Sequence, residues 1–237
     1  MDRQNLKDLT LPEIEDFITG LGKEKYRGRQ IMKWLYQHGK TSFEAMTTLS
    51  KPFRQHLQEK ARIGQPEIIK TEISKDGTKK FLFRLEDGLS IESVLIPGKT
   101  HWTVCVSTQA GCRMGCRFCY TGSRGLKRNL TPAEITGQIT ALKFHTQEGP
   151  DIKNVVMMGM GEPLDNYENT LKAIRIITSD YGLGFSNRKI TLSTCGLAPA
   201  IVQLGRDISI NLAISLNATT DETRNSLMPV NRKYPLT

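Results

Sequence analysis

Apolar and polar positions along the chain change their period twice. In the first 60 or so residues the spacing is helical: KYRGRQIMKWLYQHG sets Ile31, Trp34 and Leu35 on one stripe, with Lys25, Arg27, Arg29 and Lys33 around it. Start signals punctuate this region. Thr10-Leu11-Pro12-Glu13 is a capping-box pattern with an internal proline, and Ser50-Lys51-Pro52 opens a later helix. From about residue 66 the period becomes strand-like, through PEIIKTEIS, TKKFLFRL and LSIESVLIP. The Asp76-Gly77 and Asp87-Gly88 pairs between these runs are tight-turn signals, so the segment is expected to be a three-stranded meander.

After Pro97 strands alternate with helices, the pattern of parallel strands joined by helical crossovers. Strands are expected at WTVCVS, KNVVMMG, RKITLST and INLAISL, and helices starting near Pro132, Asn166, Ala198 and Asp221. Thr131-Pro132-Ala133-Glu134 is a second capping box, and Tyr181-Gly182-Leu183-Gly184 supplies a helix stop. The fold class is therefore α/β. Three segments are expected: a helical domain over 1–64, a β-meander connector over 65–98, and a partial barrel over 99–237.

Composition narrows the class. No apolar run approaches the roughly 18 residues of a membrane span, and the N-terminus has no signal-peptide stretch, so a cytoplasmic protein is expected. A formal net charge of +9 suits a polyanionic partner and fits ordinary solvated surface as well. The same two readings apply to the first helical stripe, as core under basic surface or as an RNA-facing helix. Five cysteines, three of them within eight residues, argue against a disulfide framework.

Those three are Cys112, Cys116 and Cys119, spaced CxxxCxxC in GCRMGCRFCYTG directly after the first barrel strand. Three thiolates on a Gly-punctuated loop suit an iron-sulfur cluster with one iron open to an external ligand. A zinc site completed by Cys105 or a distant residue is the alternative. Phe118 and Tyr120 would shield such a centre or simply pack. Downstream, VVMMGMGEPLDN places Gly159, Gly161 and Glu162 just past a buried strand, where ligands gather in parallel α/β folds and glycine permits close backbone approach. In ITLSTCG and AISLNA, alternation puts Thr191, Ser193 and Cys195 on one strand face and pairs Ser215 with Asn217. These short polar residues can bind a ribose or adenine, or cap helices.

CxxxCxxC in this position resembles the radical S-adenosylmethionine (SAM) superfamily signature. The longer string LSIESVLIPGKTHWTVCVSTQAGCRMGCRFCYTG, with NVVMMGMGEPLDN, TLSTCG, AISLNA and KYRGRQIMKWLY, is similar to the RlmN/Cfr family of RNA adenine methyltransferases. The resemblance covers nearly all of residues 20 to 237 and implies a TIM-like radical SAM (β/α) barrel with a helical RNA-binding accessory domain. It implies a [4Fe-4S] cluster on Cys112, Cys116 and Cys119, with SAM bound by Gly161, Glu162, Ser193, Ser215, Leu216 and Asn217. Cys195 matches no motif of the family and is expected to be a packed thiol.

The resemblance also implies a reaction. One-electron reduction of SAM yields a 5'-deoxyadenosyl radical, and a methyl group first placed on a C-terminal cysteine is carried to C2 of an adenine in large-subunit ribosomal RNA, with transfer RNA as a further substrate. Glu92 matches the proton acceptor, and Cys105 the cysteine that pairs with the methyl carrier in a disulfide. A flavodoxin- or ferredoxin-type electron donor and a monomeric state are expected. Alternatives are C8 methylation, as in Cfr, and a non-catalytic RNA- or metal-binding fragment. The chain stops at NRKYPLT and no cysteine follows Cys195, so it reads as truncated, its barrel incomplete at the C-terminus and the chain inactive alone.

Overall fold

The computed structural model describes residues 3–144, 146 and 150–236. A short strand β1 (Gln4–Asn5) leads through a 3-10 turn at Leu6–Asp8 into helices α1 (Leu11–Gly20), α2 (Tyr26–Tyr36) and α3 (Lys51–Lys60). β2 (Ala61–Arg62) returns to pair in parallel with β1, which closes this unit. The first capping box forms: the backbone N–H and hydroxyl of Thr10 both donate to Glu13 at 2.8 Å. On α2 the apolar stripe is core, with Ile31 and Leu35 buried and Trp34 half-buried. Its basic flank is largely ion-paired, Arg29 and Lys25 both meeting the buried Glu15 at 3.0 and 3.4 Å.

The meander forms as β3 (Glu67–Ile73), β4 (Lys79–Arg84) and β5 (Ser90–Pro97), antiparallel throughout. Its turns place Gly77 and Gly88 at φ of 85° and 84°, the left-handed region an Asp-Gly turn needs. Expected as a connector, it is also the flank of the main sheet, because β5 pairs antiparallel with β6 (Trp102–Cys105). A hairpin of β7 (Gln109–Gly111) and β8 (Leu126–Asn129) brackets a one-turn helix α4 (Tyr120–Ser123). The crossovers then run α5 (Pro132–Phe144), β9 (Ile152–Met157), α6 (Tyr167–Thr178), β10 (Ile190–Thr194), α7 (Ala198–Asp207), β11 (Asn211–Ile214) and α8 (Asp221–Leu227).

Together these give a seven-stranded sheet in the order β11-β10-β9-β6-β5-β4-β3, whose first four members are parallel. This is the expected α/β architecture of parallel strands joined by helical crossovers. The second capping box is reciprocal, with Thr131 N–H donating to Glu134 at 2.9 Å and Glu134 N–H to the Thr131 hydroxyl at 3.3 Å. β11 is the outer parallel strand, and Leu212 and Ile214 on it are 41% and 49% exposed.

The helical unit docks on α5 and α6. Asp8 accepts from the Ala133 N–H at 2.9 Å, a carboxylate at the N-terminal turn of α5 where the helix dipole favours it. The buried Lys7 amine donates to Thr140 at 2.9 Å and Gln65 at 2.5 Å. Gly137 on α5 is needed here, since a Cβ would lie 2.5 Å from Pro66. This docking fixes the sheet from one side and leaves the C-terminal ends of β6, β9, β10 and β11 to build the site.

Candidate active site

The β7–β8 hairpin carries the cysteine loop and closes it tightly. Gly111 has φ 84°, and a Cβ on it would overlap the Gly125 carbonyl at 2.0 Å, so only glycine fits where the loop leaves the strand. Cys112 N–H donates to that carbonyl at 3.2 Å, Cys119 N–H to the Cys116 carbonyl at 3.0 Å, and Arg117 N–H to the Leu227 carbonyl at 2.9 Å. The Cys119 sulfur caps α4 by accepting from Gly122 N–H at 3.4 Å. The loop is therefore held by its own backbone and by α8.

One pocket of about 310 Å³ receives all three thiols. Gly161, Glu162, Ser193 and Ser215 share its walls, with the Ser193 and Ser215 hydroxyls 3.3 Å apart. Burial pushes the Cys112 thiol up to about 11 and raises Cys116, where the neighbouring Cys119 adds to the effect. Among the described residues no three His, Cys, Asp or Glu side chains are gathered closely enough for a single metal ion. Three soft sulfur donors on one cavity are a donor set that an iron-sulfur centre takes.

Glu162 is buried and does structural work within the pocket. One oxygen accepts from Leu164 N–H at 3.1 Å and the other from Cys195 N–H at 2.8 Å, while its own N–H donates to Gln109 at 2.9 Å. The glycines beside it line the same pocket and are also packed closely against the chain. A Cβ on Gly159 would lie 2.8 Å from Ser107 N, and one on Gly161, at φ 102°, would lie 2.6 Å from Gln109 Cβ. Their missing side chains make room for the protein's own β6–β7 connection.

Leu216 and Asn217 do not line this pocket. The Leu216 carbonyl accepts from Arg224 at 3.1 Å, and Asn217, at φ 59°, donates its amide to the Met228 sulfur at 3.4 Å. Cys195 packs with Met228 and Val230 and also reaches the pocket wall; burial and then the nearby Glu162 carboxylate raise its thiol.

Glu92 lies elsewhere, in a neighbouring groove of about 550 Å³ with Ala110, Gly111, Tyr120, Arg124 and Lys127. It pairs with Lys80 at 3.2 Å. The two cavities are back to back across the cysteine loop: Cys112 and Cys119 face one, and their neighbours Gly111 and Tyr120 face the other. Phe118 borders the thiol pocket, whereas Tyr120 does not. Cys105 lines neither cavity; it is buried, and burial raises its thiol despite a Met158 N–H directed at it. The disulfide implied for it is not supported, because all five cysteines are free thiols.

Two family models match the chain: "Ribosomal RNA large subunit methyltransferase N-terminal domain" over residues 4–63, and "Radical SAM superfamily" over residues 106–236. It is 68% identical to a dual-specificity RNA methyltransferase RlmN of Syntrophus aciditrophicus, over 100% of this chain and 68% of that relative. The chain belongs to the RlmN family of radical SAM methyltransferases. A second RlmN, from Geobacter sulfurreducens, is 54% identical over 98% of this chain and 63% of its own length. The chain thus spans about two thirds of the curated relatives' length. In three dimensions it matches a radical SAM methyltransferase from Sphaerobacter thermophilus with a TM-score of 0.91 and 43% identity, covering 98% of this chain and 69% of the other.

Two residues central to this RlmN-family site escaped the sequence reading. Gln109, fully buried, accepts from Glu162 N–H and donates to Asn129 and Asp165, both at 2.8 Å. Arg224, 3% exposed, donates to the Cys195 carbonyl at 2.7 Å, to Leu216 and to Asn231. Neither has a local signal: Gln109 follows the polar pair Ser107-Thr108 in the sequence, and Arg224 lies in the charged run DETRNS, which reads as solvated surface. No helix among the described residues is long and apolar enough to cross a membrane.

Proposed function

We propose that this site serves transfer of a methyl group to C2 of an adenine in large-subunit ribosomal RNA, with transfer RNA as a second substrate. The observation that carries the reading is the convergence of Cys112, Cys116 and Cys119 with Glu162, Ser193 and Ser215 on one pocket, back to back with the groove that holds Glu92. The name shared by the relatives, dual-specificity RNA methyltransferase, supports the substrate class.

Cys112, Cys116 and Cys119 would hold a [4Fe-4S] cluster, which with SAM supplies one-electron chemistry able to reach a carbon as inert as adenine C2. Glu162 with the Gly159–Gly161 turn would orient the methionyl end of SAM. Ser193 and Ser215 offer paired hydroxyls to its ribose or adenine, and Leu216 and Asn217 fix the backbone that presents Ser215. On the groove side, Glu92 takes the proton that leaves the ring carbon, its carboxylate oriented by Lys80. Residues 1–64 act as an accessory RNA-binding unit, and a flavodoxin- or ferredoxin-type protein donates the electron.

The test is incubation of the cluster-loaded protein, with this chain continued by the remaining third of the Syntrophus aciditrophicus relative, with methyl-labelled SAM and ribosomal or transfer RNA, followed by nucleoside mass spectrometry. Labelled 2-methyladenosine is the expected product. Labelled 8-methyladenosine would replace the C2 reading by a C8 one, and unlabelled RNA would contradict both.

A further inference from the structure

Tyr120 is 78% exposed, the most exposed large apolar or aromatic side chain among the described residues. Its place is held by the Cys119-capped turn α4, and its ring lies 6.0 Å from the Arg124 guanidinium, one turn further on. Both border the groove that holds Glu92. A single exposed ring is ordinary on a protein surface, and this one gains its meaning from the groove it borders.

The chemistry of the groove points to the occupant. Its charged lining residues are Lys80, Arg124, Lys127 and Glu92, three cations to one carboxylate. Among the described residues neither Arg124 nor Lys127 pairs with a carboxylate, whereas Lys80 is shared between Glu72 and Glu92. Two cations beside an exposed ring offer phosphate contacts next to a π-face, the combination by which proteins hold unpaired nucleic-acid strands. The volume of about 550 Å³ lies within the roughly 300–1,000 Å³ of sites that enclose a small ligand, so a nucleotide fits.

We propose that Tyr120, backed by Arg124, is a stacking platform for an unpaired base of the RNA substrate, with Arg124 and Lys127 on its phosphates, in the groove lined by Glu92. The proposal rests on the RNA reading above and adds a positioning residue to it. Stacking on Tyr120 keeps an extruded strand in the groove without reading its sequence, and leaves selection of the reacting base to other groups.

The test is binding of a short single-stranded RNA containing 2-aminopurine, at low salt, read by anisotropy and by fluorescence quenching. Native protein should quench the probe. Tyr120→Ala should weaken binding by about 5- to 100-fold and abolish quenching, and Tyr120→Phe should restore both to within about twofold. Arg124→Gln should lower the salt dependence of binding by about one counterion while quenching persists. Circular dichroism melts control for folding, which an exposed side chain should leave unchanged. Undiminished binding and quenching in Tyr120→Ala would overturn the platform and leave the RNA reading standing; no binding by native protein would overturn both.

Discussion

The carboxylate of Glu162 accepts the backbone N–H of Cys195 at 2.8 Å and so ties the turn after β9 to the end of β10. Its other oxygen holds Leu164 N–H, which makes this side chain a brace between two walls of the thiol pocket. Glu162→Ala leaves two buried donors unpaired and should cost about 3 kcal/mol or more. Glu162→Gln retains one acceptor oxygen and should cost roughly half as much. Urea midpoints at unchanged m-value measure both. Equal stability of the two variants would show that the brace is not the side chain's structural role.

Arg224 ties the carbonyls of Cys195 and Leu216 to Asn231 from a buried position on α8. Lysine cannot reproduce this fork. Arg224→Lys is therefore expected to lower stability by about 2 kcal/mol and to weaken SAM binding, since the Ser215–Asn217 backbone loses its support. Calorimetry of SAM binding alongside a thermal melt separates the two effects.

Three glycines give a graded series. Gly161→Ala meets Gln109 at 2.6 Å with φ at 102° and should cost well over 2 kcal/mol. Gly184→Ala, at φ 71° with nothing within 4 Å, should cost about 1 kcal/mol from backbone strain alone. Gly205→Ala, inside α7 and also without a neighbour within 4 Å, should stabilise by roughly 0.5–1 kcal/mol. Melting temperatures in that order are the expected result.

What was local in the chain was legible in it. The four parallel strands, the Asp-Gly turns and the helix starts at Pro132, Ala198 and Asp221 follow from period, caps and proline, which act within a few residues. CxxxCxxC and GMGEP were equally plain. What lay hidden depends on distant segments meeting. That Glu162 faces Cys195, that Gly161 yields space to Gln109, and that Arg224 is buried are facts of packing between β6, β9, β10 and α8. The same is true of the division between the thiol pocket and the Glu92 groove. Residues one position apart, Cys119 and Tyr120, face different cavities, and only the fold of the loop decides which.

Lys7 supplies a pH dependence. Burial pulls its amine down to about 7 from 10.5. Between those values the unfolded chain binds a proton that the folded one does not, so this residue's contribution to stability rises with pH across the window. Below about 7 the folded state carries the full cost of charging the buried amine, roughly 5 kcal/mol at most. Lys7→Met leaves Gln65 and Thr140 bonded to each other at 3.1 Å. The variant should melt higher than native protein at pH 6.5, and the gap should close by about pH 10. A gap independent of pH would show that the amine does not titrate as its burial requires.

The most direct test of the account is anaerobic iron-sulfur reconstitution of this chain, with iron counting and electron paramagnetic resonance of the reduced protein before and after SAM. The account predicts about four irons per chain, a signal that shifts when SAM binds, and loss of both when Cys112, Cys116 and Cys119 are replaced together by alanine. Folded protein that takes up no iron, or a signal that is indifferent to SAM, would contradict it.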